Sequence, residues 1–185
     1  MKKRASSALA LTCTLLLAGC SSDTTTEPTA SAETGPHLTA AGEVFDPAAH
    51  DVDNPDEACG NDPGRTEIEE FDRAPWPDLN LDAGVWIMTC GNAQGAGFRH
   101  IADGHVDDFG EIADLVDADW EDVAWFAIDM ALEEPSDVYL YRDDIVNYLV
   151  ELHYVDSVGD IQQSWTVVVG VGLETAQIIT SFPRN

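Results

Sequence analysis

In the last third of the chain apolar side chains return at every second position. Val146, Tyr148, Val150, Leu152 and Tyr154 make one such run, and Trp165, Val167, Val169 and Val171 a second. A period of two puts successive side chains on opposite faces of an extended backbone, so both runs predict strands. Asp137 to Arg142 and Ala176 to Phe182 read as their outer partners, with Asp143, Asp144, Gly159, Asp160 and Gly172 as turn residues between them. Connections this short require antiparallel neighbours. Upstream the period lengthens. Trp120, Val123, Ala124, Ala127, Met130 and Ala131 follow helical spacing behind Asp119 and Asp122, and Pro135 lies just past the last turn. Phe109, Ile112, Leu115 and Val116 form a similar stripe behind Asp108 and Glu111, which are spaced as in a capping box. Phe98 to Asp103 predicts a short helix ended by Gly104, and Val85 to Met88 a short strand. Helices first and strands after predict an α+β fold: short helices followed by an antiparallel meander of about four strands, the helices packed on one face.

From Ser21 to about Asp56 the pattern is lost. Leu38, Val44, Phe45 and Val52 are the only large apolar side chains there, too few to offset the chain entropy of ordering. The segment 20–57 therefore predicts a disordered, acidic, Ser/Thr/Pro-rich spacer, followed by a single domain over 58–185. His37 and His50 lie in the spacer with no assigned role. Ahead of it, Lys2, Lys3 and Arg4 precede an apolar stretch from Ala8 to Ala18, about half the roughly 20 residues a membrane-spanning helix needs. This is the layout of a secretory leader.

Leu17, Ala18, Gly19, Cys20, Ser21 and Ser22 resemble the lipobox of bacterial lipoproteins. The resemblance implies a signal peptide over 1–19, acyl chains such as palmitate on Cys20, and a lipid anchor at the extracytoplasmic face of the cell membrane. An ordinary cleaved leader with a chance Cys is the alternative.

Composition narrows the partners. The chain has 185 residues, 44% apolar, enough for one compact core. With 35 acidic and 8 basic residues its net charge is −27, which excludes a generally basic nucleic-acid binder. Cleavage at Cys20 would remove three of the basic residues and none of the acidic ones. Adaptation to salt, which screens such self-repulsion, and a solubilising acidic face are both open readings. Cys13 leaves with the leader and Cys20 takes lipid, so Cys59 and Cys90 are expected to form a disulfide in an oxidising compartment; two buried free thiols are the alternative.

Reactive side chains concentrate between Arg99 and Asp108, where His100 and His105 stand among Asp103, Asp107 and Asp108. On one continuous helix the two His lie about 140° apart, but a break at Gly104 lets both face one cleft. Three readings stand: packed structural His, a metal site with the neighbouring Asp, or a general acid and base. The i, i+5 spacing differs from the i, i+4 of helix-borne zinc pairs and no second ligand pair follows, so no metal or cofactor is assigned. Phosphate loop, nucleophile elbow and paired-Cys zinc patterns are missing. The stretch Gly91–Gly97 lacks the Lys of a nucleotide loop and reads as a flexible rim.

The run Phe98, Arg99, His100, Ile101, then His105 and Phe109, with the ending Ile178, Ile179, Thr180, Ser181, Phe182, Pro183, resembles the barnase/EndoU/colicin/RelE-like (BECR) nuclease toxins over about 97–183. The resemblance implies metal-independent RNA cleavage by attack of the 2′-hydroxyl, with His100 and His105 as acid and base, Thr180 as the last-strand hydroxyl, and Arg99 and Arg142 as substrate contacts. The chain departs from these toxins in its charge: RNA phosphates meet a strongly negative field. A surface lipoprotein that keeps the fold without the activity, binding a ligand or protein partner as a monomer, is the alternative.

Overall fold

The computed structural model describes residues 35–49, 55–61 and 63–185. The leader, Cys20 and much of the expected spacer lie outside the described residues.

Strands β1 (His37–Ala40), β2 (Glu43–Val44), β3 (Glu67–Arg73), β4 (Gly84–Thr89), β5 (Asp137–Arg142), β6 (Ile145–Val155), β7 (Ile161–Gly172) and β8 (Gln177–Arg184) form one sheet. Its order is β2-β1-β6-β7-β8-β4-β3. β5 lies off this path, on the edge of β6 that also carries β1: it pairs with Ile145–Leu149, and β1 with Leu152–Val155. Among the described residues three helices, α1 (Pro55–Cys59), α2 (Phe98–Ala113) and α3 (Trp120–Glu133), complete the regular elements apart from short 3₁₀ turns.

This corrects the expected α+β fold of short helices leading into a four-strand meander with helices packed on one face. Strands make up 40% of the structure and helices 28%, and the sheet curls into a mixed half-barrel. It is mixed because β4 runs parallel to β8, meeting it at Ile87 and Gln177. The three unexpected strands, β1, β2 and β3, were hidden for physical reasons. β1 buries only Leu38 and Ala40, too short a run to show a period. β3 is an edge strand reading Glu-Ile-Glu-Glu-Phe-Asp-Arg, and among its side chains only Phe71 is fully buried. The stretch read as a spacer thus contributes β1 and β2 to the sheet.

The core-facing row of β6, Val146, Tyr148, Val150 and Leu152, pairs in register with Val171, Val169, Val167 and Trp165 of β7, as the alternation requires. α3 closes this face with Val123, Ala124, Ala127, Ile128 and Ala131, all fully buried. Trp125 sits at its centre, edge-on to both Phe71 and Phe98.

α2 also differs from expectation. It runs unbroken through Gly104 and Gly110, because Phe98, Ile101, Phe109 and Ile112 make one apolar stripe whose burial outweighs the roughly 1 kcal/mol that a helical Gly costs relative to Ala. Asp108 is therefore mid-helix and caps nothing. Before α2, the Gly91–Gly97 stretch is held in place rather than left as a flexible rim: Gly91 N–H donates to Gly64, Asn92 to Ala96, and Gly97 to Ile179. Gly97 has φ +82°, and a Cβ there would stand 2.5 Å from the Thr89 carbonyl oxygen. Among the described residues no helix is long and apolar enough to cross a membrane.

Candidate functional site

Beyond Gln177, where β4 leaves it, β8 is flanked by α2. That placement brings His100 and His105 together even though the helix is continuous: their ring centroids are 6.3 Å apart and their planes nearly perpendicular. His100 Nδ1 lies 2.9 Å from the Ala93 carbonyl oxygen, and His105 Nδ1 lies 3.0 Å from Asp108 Oδ2. Both partners only accept, so each Nδ1 carries the proton in these bonds. Both rings are partly exposed. Among the described residues no three His, Cys, Asp or Glu side chains converge to hold a metal.

Thr180 lies elsewhere on the same strand system. Its row runs across the sheet in register, Asn147 on β6, Gly170 on β7 and Thr180 on β8, on the face turned away from the valine core. Gly170 is the reason a groove exists there. A Cβ on it would meet Asn147 Oδ1 and Thr180 Cγ2 at 3.2 Å, so its missing side chain leaves a trough between the two polar residues. Tyr139, Tyr141 and Ile145 wall one side, Phe182 and Arg184 the other, and the enclosed volume is about 320 Å³. Asn147 Nδ2 donates to the Tyr139 hydroxyl at 3.0 Å. The Thr180 hydroxyl is buried and has no hydrogen-bond partner. Phe182 links groove and helix, since His105 stacks on its ring.

The two arginines assigned to substrate are placed differently. Arg99 points away from the groove into backbone: it donates to the carbonyls of Cys59, Gly60 and Gly91 at 3.1 to 3.3 Å. Any phosphate contact would compete with those bonds. Arg142 is exposed and lies over the ring of Tyr141, 5.1 Å from its centroid, at the groove's outer end. Cys59 and Cys90 form a disulfide, so Arg99 and the disulfide together clamp α1 against the end of β4.

Sequence reasoning missed Tyr139, Tyr141, Asn147, Gly170 and Arg184 as groove residues. Two signals were present. Asn147 interrupts an otherwise apolar run, and Gly170 interrupts a run of valines, as a residue does where something must approach the sheet closely.

A second polar cluster lies on the core side. The Tyr148 hydroxyl, Trp86 Nε1 and Arg73 Nε are buried without hydrogen bonds of good geometry, and the Arg73 guanidinium covers the Trp86 ring at 4.4 Å. Burial pushes the Tyr148 phenol above its usual range, partly offset by Trp86 and Arg73. No family model, curated protein or solved structure matches this chain.

Proposed function

We propose that this chain is a lipid-anchored extracytoplasmic binding protein that holds a small ligand in the groove between β5 and β8. The observation that carries this reading is the row Asn147–Gly170–Thr180: a trough opened by a missing side chain and walled by aromatic rings, with the Asn147 amide in its lining. A concave, mostly apolar site with a few placed polar groups is the usual form of a small-molecule pocket, and about 320 Å³ falls in the typical range of roughly 300–1,000 Å³. The anchor rests on the leader and Cys20. Two acyl chains would hold the protein firmly at the bilayer, at roughly 0.8 kcal/mol per buried CH₂. The decisive experiment pairs Cys20→Ser with Gly170→Leu. The first should release the protein from washed membranes, and the second should close the groove to any ligand the parent retains through purification. A Cys20→Ser protein that stays in the membrane fraction after a high-salt wash refutes the anchor.

A second reading, metal-independent RNA cleavage as in the BECR toxins, has one observation in its favour. His100 and His105 are each tied through Nδ1 and stand 6.3 Å apart, a workable span for an acid and a base on one phosphate. Against it stand the engagement of Arg99 with backbone carbonyls and the −27 charge. Incubation of the parent, His100→Ala and His105→Ala with RNA and excess chelator, at low and high salt, decides it. Loss of cleavage in both variants supports the reading, and no cleavage by the parent at any salt removes it.

A further inference from the structure

We infer that the groove's ligand is a small organic carboxylate with an apolar body, the body seated over Gly170 and the carboxylate held by a rim arginine; this rests on the binding reading above. The lining selects the body. Tyr139, Tyr141, Ile145 and Phe182 supply most of the wall, and the floor is the bare backbone of Gly170. Thr180 turns its methyl to that floor and its hydroxyl is buried, so the hydroxyl offers nothing to an occupant. The Asn147 amide already donates to Tyr139. A body rich in hydroxyls would give up its bonds to water for few in return, whereas an apolar chain or ring gives up none. A Cβ on Gly170 would stand 3.2 Å from both Asn147 and Thr180, so the base of the trough takes something slim, a chain or a ring on edge.

The rim selects the charge. Beyond residue 60 the chain has five arginines and no lysine. Arg73 covers Trp86 in the core and Arg99 holds backbone carbonyls. Arg142 and Arg184 both come to this groove from opposite sides, the first over Tyr141 on β5 and the second beyond Phe182 on β8. Among the described residues neither guanidinium has a carboxylate partner, although acidic residues outnumber basic ones by 35 to 8. Even Asp143 and Asp144, next along the chain from Arg142, do not pair with it. Two unpaired cations framing one apolar hollow are complementary to an anion that carries its charge at the end of an apolar body.

The net charge limits how much charge the ligand brings. Repulsion by a chain at −27 grows with the charge of what approaches, which weighs against a polyanion such as RNA. A single carboxylate feels the least of it and meets a guanidinium at contact distance, where attraction is strongest. Its two oxygens also match the planar fork of an arginine. An amine of the same shape is drawn by the overall charge but meets Arg142 and Arg184 at the mouth, and a neutral analogue gains nothing from either.

The test is a ligand-observed NMR titration of the full chain in non-ionic detergent, with detergent alone as the blank. The probes are octanoate and naphthoate, a chain and a ring, each beside its alcohol and its amine: octanol and octylamine, naphthylmethanol and naphthylmethylamine. At least one acid should bind about fivefold more tightly than its alcohol and its amine, a modest margin because exposed arginines are screened by water. Arg142→Gln combined with Arg184→Gln should bring the acid down to the affinity of the alcohol. Gly170→Leu, which fills the floor, and Tyr141→Ala, at an exposed position, should each weaken the acid by about tenfold. An alcohol or amine that binds as tightly as its acid, still weakened by Tyr141→Ala, overturns the carboxylate and leaves the groove a binding site. Acid binding indifferent to the arginine pair, or to both groove substitutions, overturns this placement. Failure of every probe to bind overturns the carboxylate and the binding reading together.

Discussion

The imidazole of His105 lies on the ring of Phe182, with centroids 5.2 Å apart and planes 26° apart. Through this contact α2 reaches the face of β8 that forms the groove. The same ring of Phe182 therefore bounds the groove on one side and meets His105 of the His pair on the other.

A double-mutant cycle measures that contact. His105→Leu and Phe182→Leu should each destabilise the fold, and their coupling should be about 0.5 to 1.5 kcal/mol in denaturant unfolding, the range of stacked ring pairs. Strict additivity would show that the rings touch without contributing.

Reducing the Cys59–Cys90 disulfide, or replacing both with Ala, should lower unfolding stability by roughly 2 to 4 kcal/mol, since the bond closes a loop across a separation of 31 residues. Urea unfolding with and without reductant reads the difference. Equal midpoints would refute it.

Arg99→Met should cost about 1 to 3 kcal/mol, because it strips hydrogen bonds from the Cys59, Gly60 and Gly91 carbonyls. Arg99→Lys should recover only part, since an ammonium cannot span the carbonyls as the planar fork does. Thermal unfolding of the two variants checks the order. A destabilisation fully rescued by Lys would mean that charge alone matters at this position.

Tyr148 sets an alkaline limit. Its phenol is raised above the ordinary tyrosine value of 10.0 in the folded state, chiefly by burial. Below that value both states hold the proton and stability is unaffected. Above it the unfolded chain ionises first, so stability falls as pH rises through the folded value. Stability measured from pH 8 to 11.5 should drop less steeply at the alkaline end in Tyr148→Phe than in the parent. Identical slopes would dismiss the phenol as the cause.

The sequence alone carried the local structure well in the last third of the chain. Alternation of Val146 to Tyr154 and Trp165 to Val171 defines β6 and β7 because each has a face set against the core, and burial writes a period of two into the residues. Helical spacing did the same for α3, whose starting residue Trp120 follows Asp119 as read. The Cys59–Cys90 pair was legible from counting. Short or acidic edge strands left no such trace: β1 shows two buried residues and β3 one fully buried side chain, so their places beside β6 and β4 had to come from pairing across the sheet. Gly104 looked like a helix stop because a local rule was applied where packing on both sides of it decided the matter. The groove was the least legible feature. Asn147 and Gly170 are 23 residues apart and Gly170 and Thr180 ten, and the three become neighbours only through the register of three strands; neither that register nor the trough made by an absent side chain is encoded at any one position.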